Sequence, residues 1–186
     1  MLPSYPLILS SASADGAALT NSVTATSILH GSGIATLPAG VLQIGSLLKL
    51  TLRGRISTVV TSPGTLTLDI RLGAVVISSF GAIALNVTAQ TNATWEATFL
   101  ATVRAIGNGT LANALCTGNF TSRAVIGSPA VGAGGIGEVM LPDTAPAVGT
   151  GFDSSAAQAI NVFATWSVAN AANSIQVHQF LAEIKV

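Results

Sequence analysis

The stretch Leu47-Leu-Lys-Leu-Thr-Leu-Arg-Gly-Arg-Ile-Ser57 decides the fold. Leu48, Leu50, Leu52, Gly54 and Ile56 fall on one side of an extended chain, and Lys49, Thr51, Arg53, Arg55 and Ser57 on the other. Alternation with a period of two residues marks a strand that has one face in a core and the other in water. After the turn signal Ser62-Pro63-Gly64 the pattern resumes, with Leu66, Leu68, Ile70 and Leu72 set against Thr65, Thr67, Asp69 and Arg71. The two segments are expected to form an antiparallel pair, with Asp69 lying across from an arginine.

Working outward, residues 94–104 place Trp95, Ala97, Phe99, Ala101 and Val103 opposite Thr94, Glu96, Thr98, Thr102 and Arg104, and end at Gly107-Asn108-Gly109. Residues 110–121, which contain Cys116, read as another strand, and so do residues 156–168, with Val162, Ala164, Trp166 and Val168 on a common face. In residues 174–186 the alternation slips near Gln179, which predicts a bulge. Upstream, residues 18–29 and 42–44 supply a first strand and an approach to the second, and residues 74–80 and 82–88 a hairpin about Gly81. β-Branched residues and threonine are too frequent, and Glu and Lys too few, for any window to read as a helix.

The expected fold is therefore all-β: an antiparallel, jelly-roll-like sandwich of roughly eight to ten strands. Residues 16–186 form its single domain, preceded by an extended amino-terminal arm over residues 1–15. A long Gly- and Pro-rich loop at residues 127–153 is expected to serve a partner or a function.

Charge is the unusual feature of the composition. Charged residues make up 8% of the chain and the formal net charge is zero, whereas an ordinary soluble domain carries about 25%. A surface so poor in ions repels its own copies weakly and favours assembly. Nucleic-acid binding is excluded, because phosphate recognition needs clustered cations and the seven here are scattered from Lys49 to Lys185. Cys116 is the sole cysteine, so no intrachain disulfide forms. The apolar stretch at residues 7–9 is too short for a signal-peptide core and no run is long enough for a membrane helix.

No catalytic, cofactor-binding or metal-binding residues are expected. His30 and His178 lack a His, Cys or acidic partner at ligand spacing. The glycine pairs of residues 133–137 lack the Lys-Ser/Thr of a phosphate loop, and the sequons at Asn86, Asn92, Asn108 and Asn119 arise readily in a Thr-rich chain. The residues singled out are the charged ones at mid-strand. Lys49, Arg53, Arg55, Asp69, Arg71, Glu96 and Arg104 sit on the polar faces of three successive strands, where they are either a solvated face with weak ion pairs or a ladder that orients a partner. Trp95, Phe99, Phe152, Phe163 and Trp166 are the residues that could stack on sugars, but Trp95 and Trp166 sit on the apolar sides of their strands and read as core, whereas Phe163 lies on the face opposite Trp166 and is an interface candidate.

Residues 47–57 followed by Gly64-Thr-Leu-Thr-Leu-Asp-Ile-Arg-Leu-Gly73 resemble the paired strands of trimeric jelly rolls in phage virion structural proteins, of the capsid decoration (cement) or fibre-head type. Residues 156–168 and 174–185 are similar to the closing strands of such a domain. The resemblance implies a homotrimer on the virion capsid surface that stabilises the head between capsomers, with the major capsid protein or another virion protein as partner, and with no nucleic acid or membrane involved. The alternative it implies is a trimeric receptor- or glycan-binding head of a phage fibre or of an extracellular surface filament. The chain is also similar in style to tumour-necrosis-factor-like and complement-like trimer domains of such filaments, but has no collagen-like stalk.

Overall fold

The alternating segments become strands close to the bounds that their polarity sets. The computed structural model describes residues 6–59, 61–126, 137–142, 145 and 147–186. In chain order its strands are β1 (Leu7–Ser11), β2 (Leu19–Thr20), β3 (Thr26–Ser27), β4 (Thr36–Leu37), β5 (Leu47–Thr58), β6 (Thr65–Leu72), β7 (Val75–Ser79), β8 (Ile83–Ala84), β9 (Gln90–Ala105), β10 (Asn113–Ser122), β11 (Glu138–Leu141), β12 (Gln158–Trp166) and β13 (Ser174–Lys185), with one short 3-10 turn at Gly31–Gly33.

They form two antiparallel sheets. The seven-stranded sheet runs β1-β13-β5-β9-β10-β11 with β2 also beside β13, and the six-stranded sheet runs β3-β12-β6-β7 with β4 beside β12 and β8 beside β6. The chain passes repeatedly from one sheet to the other, and the late strands β13 and β12 insert next to β5 and β6. That order is the doubled Greek key of a jelly roll, widened on one side by β10 and β11.

The core lies between the sheets. Leu50, Leu52, Trp95, Phe99 and Phe120 enter it from the larger sheet and Leu66, Leu68, Ile70, Val162 and Trp166 from the smaller, all of them essentially without exposure. Trp95 stacks on Phe120 with 5.3 Å between ring centroids, and Phe80 on Phe99 with 4.7 Å. The Trp166 indole Nε1 donates to the Leu19 carbonyl at 3.2 Å, which satisfies the one polar atom that the ring carries into the core. Gly54 is required where it stands: a Cβ there would lie 1.8 Å from the Gln176 carbonyl oxygen and 2.9 Å from Trp95 Nε1.

Several expectations are corrected. Strands β5 and β6 are not a hairpin, because the Ser62-Pro63-Gly64 connection carries the chain from one sheet to the other. Each strand has a single apolar face, and placing them in opposite layers directs both faces into one core. The wholly buried Asn173 pins this crossover, accepting from the Val59 N–H at 2.9 Å and donating to the Pro63 carbonyl at 2.9 Å. Asp69 therefore lies beside Phe163 of β12 and Ser79 of β7, not beside an arginine of β5.

No hairpin forms about Gly81 either: β7 and β8 each pair with β6. The first strand expected at residues 18–29 is split into β2 and β3, which belong to different sheets. Within the expected arm, residues 7–11 form β1, which pairs with β13, and the Ala12 N–H donates to the Phe180 carbonyl; residues 1–5 lie outside the described residues. Within residues 127–153 the structure places β11 and single bridges from Val148 to Leu115 and from Phe152 to Ala112, while residues 127–136, 143, 144 and 146 lie outside the described residues. Val168, expected to face the core, is 40% exposed beyond the end of β12. The bulge in the last strand is present, between Val177 and Gln179.

Candidate functional site

Alternation along β5, β9, β10 and β13 turns every second side chain of the seven-stranded sheet outward, and the register lines these up in rows. Glu183, Lys49, Leu100 and Thr117 make one row, and Leu181, Thr51, Thr98, Asn119 and Met140 the next. Gln179, Arg53, Glu96, Thr121 and Glu138 form a third, followed by Gln176, Arg55 and Thr94. At the other end, Lys185, Leu47, Thr102, Leu115 and Val148 complete the face.

This face changes character along its length. Toward the start of β5, on the side of β9 to β11, exposed apolar residues gather: Leu100, Met140 and Val148, with Ile44, Ile106 and Leu111 exposed on the adjoining loops, while Lys49, Glu183 and Lys185 occupy the β5 and β13 side of the same rows. Arg104 stands at the same end, near the finish of β9. Toward the finish of β5 it is charged. Arg53 Nε donates to Glu96 Oε2 at 2.7 Å, and two rows away, in the row of Leu100, Lys49 Nζ lies 3.7 Å from Glu183 Oε2. Arg55 reaches the Asn92 carbonyl at 3.2 Å and Thr94 Oγ1 at 2.6 Å.

Beside Arg55 the sheet opens into a cleft of about 960 Å³, bordered by Arg55, Asn86, Gln90, Asn92, Thr121 and Arg123.

The smaller sheet holds the other residues singled out. Arg71 lies over the Phe163 ring, with Cζ 3.8 Å from its centroid, and Arg71 Nη2 is 3.4 Å from Asp69 Oδ2. A guanidinium packed on an aromatic face and beside a carboxylate is held by stacking and charge together. Beside them Ser27 Oγ donates to Asn161 Oδ1 at 2.8 Å.

The sequence-derived set is thus divided by the core. Lys49, Arg53, Arg55, Glu96 and Arg104 share the outer face of the large sheet, and Asp69, Arg71 and Phe163 share that of the small one, so no single three-strand ladder exists. Sequence reasoning missed Arg123, Asn92 and the apolar rows. The signal was present for Leu100, an apolar residue in the polar phase of β9 between Thr98 and Thr102.

No constellation for chemistry gathers among the described residues. Burial pushes the Cys116 thiol up to about 11, against a smaller opposing effect of its hydrogen bond with Ser78, so it stays protonated and inert at neutral pH. His178 Nδ1 lies 2.9 Å from Asp15 Oδ2 and His30 Nδ1 2.8 Å from Ser32 Oγ; no metal-holding group of His, Cys, Asp and Glu is found among the described residues. Asp153 is held below the usual carboxylate range by the Ser155 hydroxyl and then by the Gly109 N–H. Trp95 and Trp166 are buried, as expected, and Phe99 and Phe152 are buried with them. No helix among the described residues is long and apolar enough to cross a membrane.

No protein-family model matches this chain, and no curated protein resembles it in sequence. Solved structures give loose likenesses. The lectin UEA-II complexed with galactose is similar at a TM-score of 0.36 and 10% identity, over 98% of this chain and 99% of that one. The CBM2 module of the evolved Dit of Lactobacillus casei BL23 phage J-1 has a TM-score of 0.36 and 10% identity, over 100% and 99%. The acidic stable capsid structure of Helicobacter pylori bacteriophage KHP30 has a TM-score of 0.31 and 11% identity, over 98% and 92%. At these values none bears on ligand or partner, and it is the chain's own strand order that makes it an antiparallel jelly-roll sandwich.

Proposed function

We propose that this protein is a virion structural component: a capsid decoration, or cement, protein that assembles as a homotrimer on the phage head and bridges capsomers. The observation that carries the reading is the apolar end of the large sheet, where Leu100, Met140 and Val148 stand exposed in a chain only 8% charged. Exposed aliphatic side chains in neighbouring rows cost free energy while they face water, and a sister chain or a shell protein relieves that cost. A standard interface of about 1,600 Å² removes enough such surface to outweigh the cost of association. On this reading the work is mechanical, the major capsid protein is the partner, and no cofactor or catalytic step is involved.

Light scattering on the purified chain at micromolar concentration is expected to give the mass of a trimer, and electron microscopy of purified particles to place the protein regularly over the capsid. A strict monomer overturns the assembly. A position at the tail tip alone overturns capsid decoration and favours the receptor- or glycan-binding head.

A further inference from the structure

We propose that the cleft at the charged end of the large sheet binds a carboxylated oligosaccharide. Arg55 and Arg123 border it, and among the described residues neither forms an ion pair with a carboxylate. Glu96, which also borders the cleft, is bonded to Arg53. Both guanidinium groups are steadied by the strand between them: Arg55 by the Asn92 carbonyl and Thr94 Oγ1, and Arg123 by the Thr91 carbonyl at 3.4 Å. Asn92 adopts a left-handed φ of 48° and its N–H donates to Ser57 Oγ at 3.0 Å, which fixes the carbonyl that Arg55 uses.

Held this way, each planar fork keeps donors free for an anionic oxygen pair, the geometry at which arginine exceeds lysine. In a chain of zero net charge this is a local excess of positive charge.

The neutral neighbours narrow the ligand. Asn86, Gln90 and Thr121 offer amide and hydroxyl groups that both donate and accept, as sugar hydroxyls require. Among the described residues the only aromatic one at the cleft is Trp95, whose side chain is buried in the core, so neither a neutral sugar nor a base finds a ring to stack on there. Two arginines are too few for a nucleic acid, whose affinity grows with the number of phosphates neutralised. The volume, near the top of the ~300–1,000 Å³ range of small-ligand sites, suits a chain of several rings better than a single small anion.

A hydroxyl-rich ligand bearing well-spaced carboxylates, of the uronic-acid type, meets all these conditions. The site lies at the opposite end of the sheet face from the apolar rows, goes beyond capsid binding and does not rest on it.

Calorimetry on the full chain with trigalacturonate, maltotriose, inorganic phosphate and a penta-glutamate peptide tests the assignment. Trigalacturonate is expected to bind at least tenfold more tightly than each of the others. Arg55→Gln and Arg123→Gln should each weaken it about tenfold, the scale of one charge-assisted contact, while Arg104→Gln, at the far end of the face, leaves it unchanged. Amide chemical shifts of the unmodified protein keep the test valid if a variant folds poorly, and are expected to move at Asn92, Thr94 and Arg123. No binding at millimolar trigalacturonate, equal binding of maltotriose, tighter binding of phosphate or of the peptide, or shifts confined to other regions would each overturn it.

Discussion

The two outer faces of the sandwich begin from the same polar phase of alternating strands and end differently. On the six-stranded sheet the face closes on itself, with Arg71 spread over Phe163 and turned to Asp69, and Ser27 bonded to Asn161. On the seven-stranded sheet the polar phase is interrupted by Leu100, Met140 and Leu115, and Arg55 and Arg123 find backbone oxygens and a hydroxyl in place of carboxylates. The contrast teaches that charge at mid-strand does not by itself mark an interface. A cation that has found a ring and an acid within its own sheet has little left to offer a partner; an exposed leucine in the polar phase still has all of its surface to bury.

The contrast can be broken by mutation. Phe163→Ala removes the surface on which Arg71 lies, and is expected to lower unfolding stability by about 2 kcal/mol, read from the urea midpoint at unchanged slope. Equal stability of the variant would show that the smaller face is not closed. Leu100→Glu, by contrast, is expected to leave the unfolding of the isolated chain within about 0.5 kcal/mol while shifting light scattering to monomer. Persistence of the oligomer would remove this face from the assembly.

The smallest effect is expected at the ion pair. Glu96→Gln should cost no more than about 0.5–1 kcal/mol, and less at high salt, because both side chains are half exposed. A larger or salt-insensitive loss would mean that the pair is shielded by a neighbouring chain.

How far these features were legible follows from what alternation encodes. It specifies which face of a strand is buried, and so the approximate spans of β5, β6, β9, β12 and β13 were readable, and with them the inward residues of β5, β6, β9 and β12, Val168 beyond the end of β12 excepted. The slip at Gln179 was readable for the same reason, since Val177 and Phe180 are both buried and cannot be so on an unbroken strand. Alternation does not specify which neighbour a strand bonds to. Ser62-Pro63-Gly64 signals a turn, but a reversal within a sheet and a crossing between sheets begin with the same residues. The deciding group, Asn173, lies more than a hundred positions away. The ladder was misjudged on this account: Asp69 and Arg55 share a phase in sequence but not a sheet. The cleft was illegible because Arg55, Asn92 and Arg123 meet only once β5, β9 and the end of β10 lie side by side.

The placement of β12 and β13 also sets the order in which the chain can be completed. Each fills a slot between strands made much earlier, β13 between β2 and β5, and β12 between β3 and β6. Until they emerge from the ribosome, one edge of β5 and one of β6 stay unpaired, so the nascent polypeptide spends most of its synthesis with open strand edges. Such late closure is slow and prone to edge-to-edge sticking, and refolding yield is therefore set by dilution as much as by the stability of the finished sandwich.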